Sequence, residues 1–311
     1  MANNLTLLDL AKLNGSDKIV GLIEEVGTVA PEVTIIPART IRGTNYDTVA
    51  RSKRPVVEFR KVNEGINPSK SEFTQRNVGT FVISSRVEAD VAAAKAYEDG
   101  ADAYMALEAV GVMASALVTV GTQTIYGDAA SSEGFFGLQS LATALDAVIT
   151  DAGGTTAGTG SSVYIIAAGA QGVQYVYGLN QTFSLGDTRT ETVRDSNGKG
   201  FTAYVADLDA RVGLQCVNKH AVARLKKFTE DSGKGVTDAK ILDALRRMPL
   251  ASRPTHILMS RRSAYQLAIS RTITPNAKVE AATGLVNGFP VESNGLPIIV
   301  TDSILDTETL S

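Results

Sequence analysis

The chain of 311 residues has one cysteine, Cys216, and two histidines, His220 and His256. That scarcity excludes an internal disulfide and a zinc cage built from cysteine and histidine within one chain. An excess of either charge is also missing: 30 Lys plus Arg against 33 Asp plus Glu gives −3, which does not suit a general grip on nucleic-acid phosphates. No stretch reaches the ~18 consecutive apolar residues of a membrane span. Met1 to Leu5 lacks the basic start and apolar run of a signal peptide, so the expectation is a soluble chain made in a reducing cytoplasm. Proline is absent between Pro68 and Pro249, which leaves room there for long regular elements.

The length allows about two domains, or one core with long excursions, and a core that needs no covalent staples. At the start, Leu5, Leu8, Leu13, Ile19, Leu22 and Ile23 pattern two short amphipathic helices broken at Asn14-Gly15. They expose too little apolar surface for a core of their own and read as an arm that packs on something else. Arg39 to Arg76 holds nine basic and four acidic residues, a positive segment in a negative protein. Its pattern predicts a long, polar, poorly buried hairpin: a strand at Val56 to Val62, turn-rich Asn63 to Lys70, and a return strand around Thr80 to Ile83.

Asp102 is placed to cap a helix with Leu107, Val110, Ala114 and Leu117 at steps of three and four, running to Tyr126-Gly127. At roughly 24 residues it spans about 36 Å, long enough to be a structural spine. Ser162 to Gly169 reads as a buried strand, and Asn197-Gly198 between Thr190 to Val193 and Phe201 to Val205 signals a hairpin. Further on, Asp238 to Met248 predicts a helix, His256 to Met259 a strand, Arg261 to Ile269 a helix and Leu296 to Val300 a last strand. The class is α+β, without internal repeats.

Chemistry-bearing motifs fall short. Ser232-Gly233-Lys234-Gly235 resembles a phosphate-cradling loop, but Phe228 and Gly235 stand where glycine and a hydroxyl belong; a solvated turn between helices is the better reading. Gly169 to Gly172 follows a strand as a dinucleotide fingerprint would, but Ala167 replaces its first glycine and Gln174 to Tyr177 continues like a strand, so a turn between strands is expected. Cys216 and His220, four apart, could share a helix face, yet Cys216 ends the strand-like run Val212 to Gln215 and reads as a small buried apolar residue. His256 reads as a structural histidine at a strand head, and Arg246-Arg247 and Arg261-Arg262 as surface cations beside acidic neighbours. No catalytic, cofactor or metal site is assigned.

The order of parts, arm, basic hairpin, spine helix and α+β body, resembles the major capsid proteins of tailed bacteriophages with the Hong Kong 97-type fold. Phe59 to Ser71 looks like the extended-loop motif of a branch found in short-tailed phages, as do Thr124-Ile125-Tyr126-Gly127-Asp128 with Phe136-Gly137-Leu138, and the ending Gly288-Phe289-Pro290 with Gly295 to Glu308. Tryptophans common in the body strands of that branch are replaced here by Ala168-Gly169-Ala170 and Leu208-Asp209-Ala210.

The resemblance implies an arm at 1–38, an extended loop at 39–82, a peripheral domain at 83–149 plus 200–230, and an axial domain at 150–199 plus 231–311. The strand-helix unit Ile257 to Ala268 and the Gly-Leu-Pro strand follow the other body strands, a permuted order relative to the prototype. It further implies a non-enzymatic shell protein that assembles with itself as pentamers and hexamers in the host cytoplasm into an icosahedral head around double-stranded DNA. Portal and scaffolding proteins, and a decoration protein, are the other implied partners. No long N-terminal propeptide is expected. Arg60, Lys61, Asn63, Glu64, Gly65, Asn67, Ser69 and Lys70 would form intersubunit contacts. Two alternatives stay open at this point: a nucleotide-dependent enzyme using the Gly169 to Gly172 turn, and a bacterial encapsulating-compartment shell.

Overall fold

The computed structural model describes residues 26–128, 133–181, 183–195, 197–216, 218–272, 285–286 and 289–310; the expected helices of the N-terminal arm lie outside them. A helical turn α1 (Glu32–Ile35) leads into β1 (Ala38–Ile41), the hairpin strands β2 (Asn45–Lys53) and β3 (Glu72–Gly79), and β4 (Phe81–Asp90). Then come α2 (Val91–Ala94), the long helix α3 (Ala101–Tyr126), α4 (Leu138–Ala144), β5 (Val148–Asp151), β6 (Ser161–Ile166) and β7 (Val173–Gly178). β8 (Arg189–Arg194), β9 (Gly200–Cys216), β10 (Val222–Phe228), α5 (Asp238–Arg247), β11 (His256–Met259) and α6 (Arg261–Thr272) follow. β12 (Leu285–Val286), β13 (Phe289–Pro290), β14 (Glu292–Ser293) and β15 (Leu296–Val300) come last.

β6 is an unbroken apolar run because both its faces are covered. Val163 and Ile165 face a core shared with Ile241 and Ala244 of α5 and Ala264 and Leu267 of α6. Tyr164 and Ile166 face the opposite core, with Val120 and Ile125 of α3, Leu138 of α4, and Tyr175 and Leu214 of the second sheet. Around β6 a six-stranded sheet forms in the order β14-β15-β11-β6-β10-β5. Thr237 opens α5 by accepting from the Lys240 amide, and Arg246 and Arg247 at its end pair with Asp243.

The five-stranded sheet is organised on β9, whose 17 residues serve two sets of neighbours. One edge pairs with β4 from Phe81↔Val212 to Asp90↔Ala203. The other is shared by β8, through Arg189↔Val205 to Arg194↔Gly200, and β7, through Val173↔Cys216 to Tyr177↔Val212. The Asn197-Gly198 turn joins β8 to β9 as expected, with Gly198 at φ 79° and the Asp195 amide donating to Lys199 O at 2.9 Å. Pairing cuts across the segments drawn from sequence: β7, within 150–199, joins β9 and β1, whereas β10, within 200–230, joins β6 and β5.

Three local expectations are corrected. Val56 to Val62 is not a strand: the hairpin arms are β2 and β3, paired from Asn45↔Gly79 to Lys53↔Glu72, and 54–71 is the loop they carry. Thr80 to Ile83 does not return the hairpin, because the Thr80 amide closes it on Thr44 O at 2.8 Å and the chain then enters β4 beside β9. The spine helix is present at 26 residues, but Gly100, at φ 90°, precedes it without a side-chain cap; Asp102 lies in its first turn, where its charge still favours the helix dipole.

The face of α3 that packs inward carries Tyr104, Met105, Ala116, Val120, Gly121, Thr124 and Ile125. Of the stripe read from sequence, Val110 and Ala114 are exposed and Leu107 is half-buried, whereas Leu117, also half-buried, packs against the core. Apolar residues surround this helix, so periodicity could not select its inner face. By length and composition α3 could span a membrane, and only 22% of its most apolar window is buried.

Candidate intersubunit surface

The loop 54–71 keeps its shape through its own polar groups. Lys53 Nζ meets Glu72 Oε1 at 3.2 Å at the last rung. Beyond it Ser69 Oγ accepts from the Val56 amide at 2.9 Å and donates to Val56 O at 3.0 Å. At the tip Asn63 takes φ 68°, a turn conformation that asparagine tolerates. The Glu64 amide donates to Lys61 O at 3.2 Å, and Arg60 Nη1 donates to Glu64 O at 2.9 Å.

All eight residues expected to form contacts lie in this loop and all are exposed. Lys61 and Lys70 make no ion pair with the described residues. Interleaved with them are Val56, Val57, Phe59, Val62 and Ile66, with Phe59 at 110% and Val57 at 92% exposure. The sequence reading weighed the loop's charge and overlooked these apolar groups. Their density in a segment without a core was the available signal: an apolar cluster left in water marks a surface that another molecule covers.

The motifs set aside on sequence form ordinary structure. Gly169 to Gly172 turns directly from β6 into β7, and no helix begins there to present amides to a phosphate. A Cβ on Gly172 would lie 2.0 Å from Ala167 O, so glycine is required by close backbone approach. Ser232 to Gly235 joins strand β10 to helix α5, a correction to the expected turn between helices. Lys240 Nζ binds Gly233 O and Gly235 O at 2.9 and 2.8 Å, so carbonyls are gathered there around a cation. Cys216 ends β9 while His220 lies in the following turn, so they share no helix. Burial pushes the Cys216 thiol up to about 12. Arg261 pairs with Asp302 and Arg262 with Glu230, each at 3.5 Å. Among the described residues no group of three His, Cys, Asp or Glu side chains is arranged to hold a metal.

A buried polar cluster escaped the sequence reading. Arg224 of β10 and Glu308 of the C-terminal segment, 7% exposed each, meet at 3.4 Å, and Ser162 Oγ of β6 donates to Glu308 Oε2 at 2.5 Å. The partners are 84 and 146 residues apart, so no local spacing announces them.

Comparison with known proteins fits this picture. The family described as Major capsid protein GP7 matches residues 14–310. No curated protein matches. Among solved structures, that of bacteriophage Epsilon15 is 18% identical with a TM-score of 0.72, covering 100% of this chain and 99% of its own. A chain of Mycobacterium phage Adephagia is 10% identical, with a TM-score of 0.46, over 71% of this chain and 97% of its own. The SrpI encapsulin of Synechococcus elongatus PCC 7942 is also 10% identical, with a TM-score of 0.47, over 71% and 95%. Because the family match takes in the hairpin, the spine helix and both sheets, the chain belongs to the Major capsid protein GP7 family, structural proteins of the phage head with the Hong Kong 97-type fold.

Proposed function

We propose that this chain closes into icosahedral heads of pentamers and hexamers around double-stranded DNA, each copy laying its loop 54–71 across a neighbour. The observation that carries the reading is the loop itself: Phe59, Val57, Val62 and Ile66 stand in solvent on a hairpin whose tip is stiffened by its own hydrogen bonds. Arg60, Lys61, Asn63, Glu64, Gly65, Asn67, Ser69 and Lys70 then supply the polar rim of that contact. The unburied apolar face of α3 offers further surface that a shell would cover.

By sheet membership we assign β4, β7, β8 and β9 with α3 to the peripheral unit, and the six-stranded sheet with α5 and α6 to the axial unit. Portal and scaffolding proteins, and a decoration protein, are the partners such a head uses, and the lumenal face is neutral or acidic so that DNA slides. The capsid family replaces the enzyme and encapsulating-compartment alternatives. Electron microscopy of the purified protein tests the reading: closed shells with DNA inside support it, and soluble monomers at every concentration oppose it.

A further inference from the structure

A pocket of about 210 Å³ lies between the start of β4 and the C-terminal half of α3. Its floor belongs to the main core: Val120, Phe135 and Val212 are buried, and Ile83 packs half-buried against them. Phe81 and Val82 also line it and remain exposed. An apolar cavity of about 150 Å³ is enough to bind one benzene ring, so this pocket has room for a single aromatic side chain.

The walls are fixed before anything binds. Phe81 pairs with Val212 and Ile83 with Ala210 in the β4–β9 ladder, and the period of two sets Phe81 and Ile83 on one face of the strand. On the other side Gln123 Nε2 donates to Phe135 O at 2.6 Å and ties the segment after α3 back onto the helix. A Cβ on Gly134 would lie 2.5 Å from that Nε2, so this wall is packed closely against α3. A preformed pocket spares a partner the cost of ordering it.

Loop 54–71 carries the matching group. Phe59 is its most exposed apolar side chain and lies past the clasp of Ser69 on Val56. The eight residues of β3 put the last rung of the hairpin roughly 25 Å from Phe81 at the usual strand rise, and Phe59 lies in the loop beyond that rung. One chain therefore holds its Phe59 away from its own pocket. Two different surfaces on one molecule define a head-to-tail contact, which closes into a ring where the rotation allows.

Charge agrees with size. Glu133 lines the pocket, is exposed and makes no ion pair among the described residues. Lys61, two positions from Phe59, is exposed and unpaired in the same sense. An aromatic anchor in an apolar pocket, with opposite charges at its rim, is the usual anatomy of a contact between proteins.

We propose that Phe59 of one copy seats in this pocket of the next, between Phe81, Ile83, Thr119 and Phe135, with Lys61 facing Glu133. The inference rests on the capsid reading above and names the place where a neighbour receives the loop.

The test is cross-linking in shells assembled from the full chain together with the other head proteins of its phage. Phe59→Cys with Thr119→Cys, treated with oxidised glutathione, should bring the two sulfurs within bonding reach and join at least about half of the chains into covalent dimers and larger species. Either single variant should stay monomeric on a non-reducing gel, because the native Cys216 is buried. Thermal melting of the subunit checks folding, and Lys61→Cys with Glu133→Cys, both at exposed positions, replaces a pair that fails to fold. Phe59→Ala should leave the melting temperature unchanged and lower the yield of shells at least about tenfold. Lys61→Glu and Glu133→Lys should each lower the yield about threefold and restore it when combined. Shells without a link between chains, a link within one chain, or normal yield from Phe59→Ala would overturn the proposal and leave the capsid reading standing. Absence of shells from the unmodified chain would contradict the capsid reading, and this proposal with it.

Discussion

Tyr126, the last residue of α3, donates to Glu308 Oε1 at 2.6 Å and accepts from the Leu305 amide at 2.8 Å. One hydroxyl thereby fastens the end of the spine helix to the C-terminal segment, beside the buried pair of Glu308 with Arg224. Burial, followed by the Glu308 charge, pushes the Tyr126 hydroxyl far above the ordinary tyrosine range, so it remains a donor at any working pH.

Glu308→Ala should therefore destabilise the subunit by about 3–5 kcal/mol, because it leaves the Arg224 charge buried without a partner. Tyr126→Phe should cost at least about 1.5–3 kcal/mol, the range for its hydrogen bond to the charged acceptor alone, because the Leu305 amide also loses its acceptor. Replacing Arg224 by Met and Glu308 by Leu together should recover only the part of the first loss due to the unpaired charge, since Tyr126 and Ser162 still lose their acceptor. Urea unfolding of the soluble subunit checks all three.

Two glycines of α3 should respond to alanine with opposite sign. A methyl group on Gly111 would meet nothing within 4 Å, so Gly111→Ala should gain about 0.5–1 kcal/mol of helix stability. At Gly121 a Cβ would lie 2.4 Å from Ser303 Oγ and 2.6 Å from Glu32 Oε1, both buried. Gly121→Ala should lower the melting temperature despite alanine's better helix propensity, and scanning calorimetry of both variants reads the contrast.

Acid should unfold the subunit through particular carboxylates. Asp231 accepts from the Thr155 amide at 2.9 Å, from Thr156 and from Thr229, which holds its carboxyl well below the usual range. The Arg271 guanidinium, at 2.7 and 2.8 Å, lowers that of Asp238. Both native values lie below the unfolded value of about 3.9, so the unfolded chain binds more protons in acid. Their stabilisation is present above the unfolded value and is lost as the pH falls through the native ones, starting near about pH 5. Asp231→Asn and Asp238→Asn should each flatten the fall of melting temperature with pH over that range.

Cys216→Ser should leave assembly intact at a cost of about 1–3 kcal/mol, the penalty for placing a hydroxyl in an apolar site. The buried, protonated thiol should be unreactive toward alkylating reagents in the folded subunit and react fully in urea, as mass spectrometry would show.

The body was legible where local pattern and burial agree. Ser162 to Ile166 is apolar throughout because it is covered on both sides, Asn197-Gly198 marks its turn, and Asp238 to Arg247 shows its amphipathic face. The hairpin was misplaced for the opposite reason. Its arm Asn45–Lys53 is polar and largely exposed, so nothing in its sequence announces a strand. The stretch Val56 to Val62 has strand-like composition, yet its apolar groups Val56, Val57, Phe59 and Val62 are exposed. The same logic hid the inner face of α3. Apolar composition alone does not say which groups the chain itself buries, and it is assigned to the wrong place when read as the core of one chain.

Charge reversal on the loop tests its polar rim. Arg60→Glu with Lys61→Glu should leave a folded, soluble subunit that assembles poorly, and more so at low salt, where repulsion is less screened. Single exposed pairs contribute about 0–1 kcal/mol, but the proposed contact would recur at every interface of a shell. Light scattering of assembly across a salt series measures the effect.

The central claim is that copies join through loop 54–71, and a cryo-electron microscopy reconstruction of the assembled particle tests it most directly. The account predicts that each loop lies across the adjacent subunit, with Phe59 and Val57 covered and Arg60, Lys61, Glu64 and Lys70 at the rim of the contact. Loops that point freely into solvent, or that line the lumen against DNA, would contradict it.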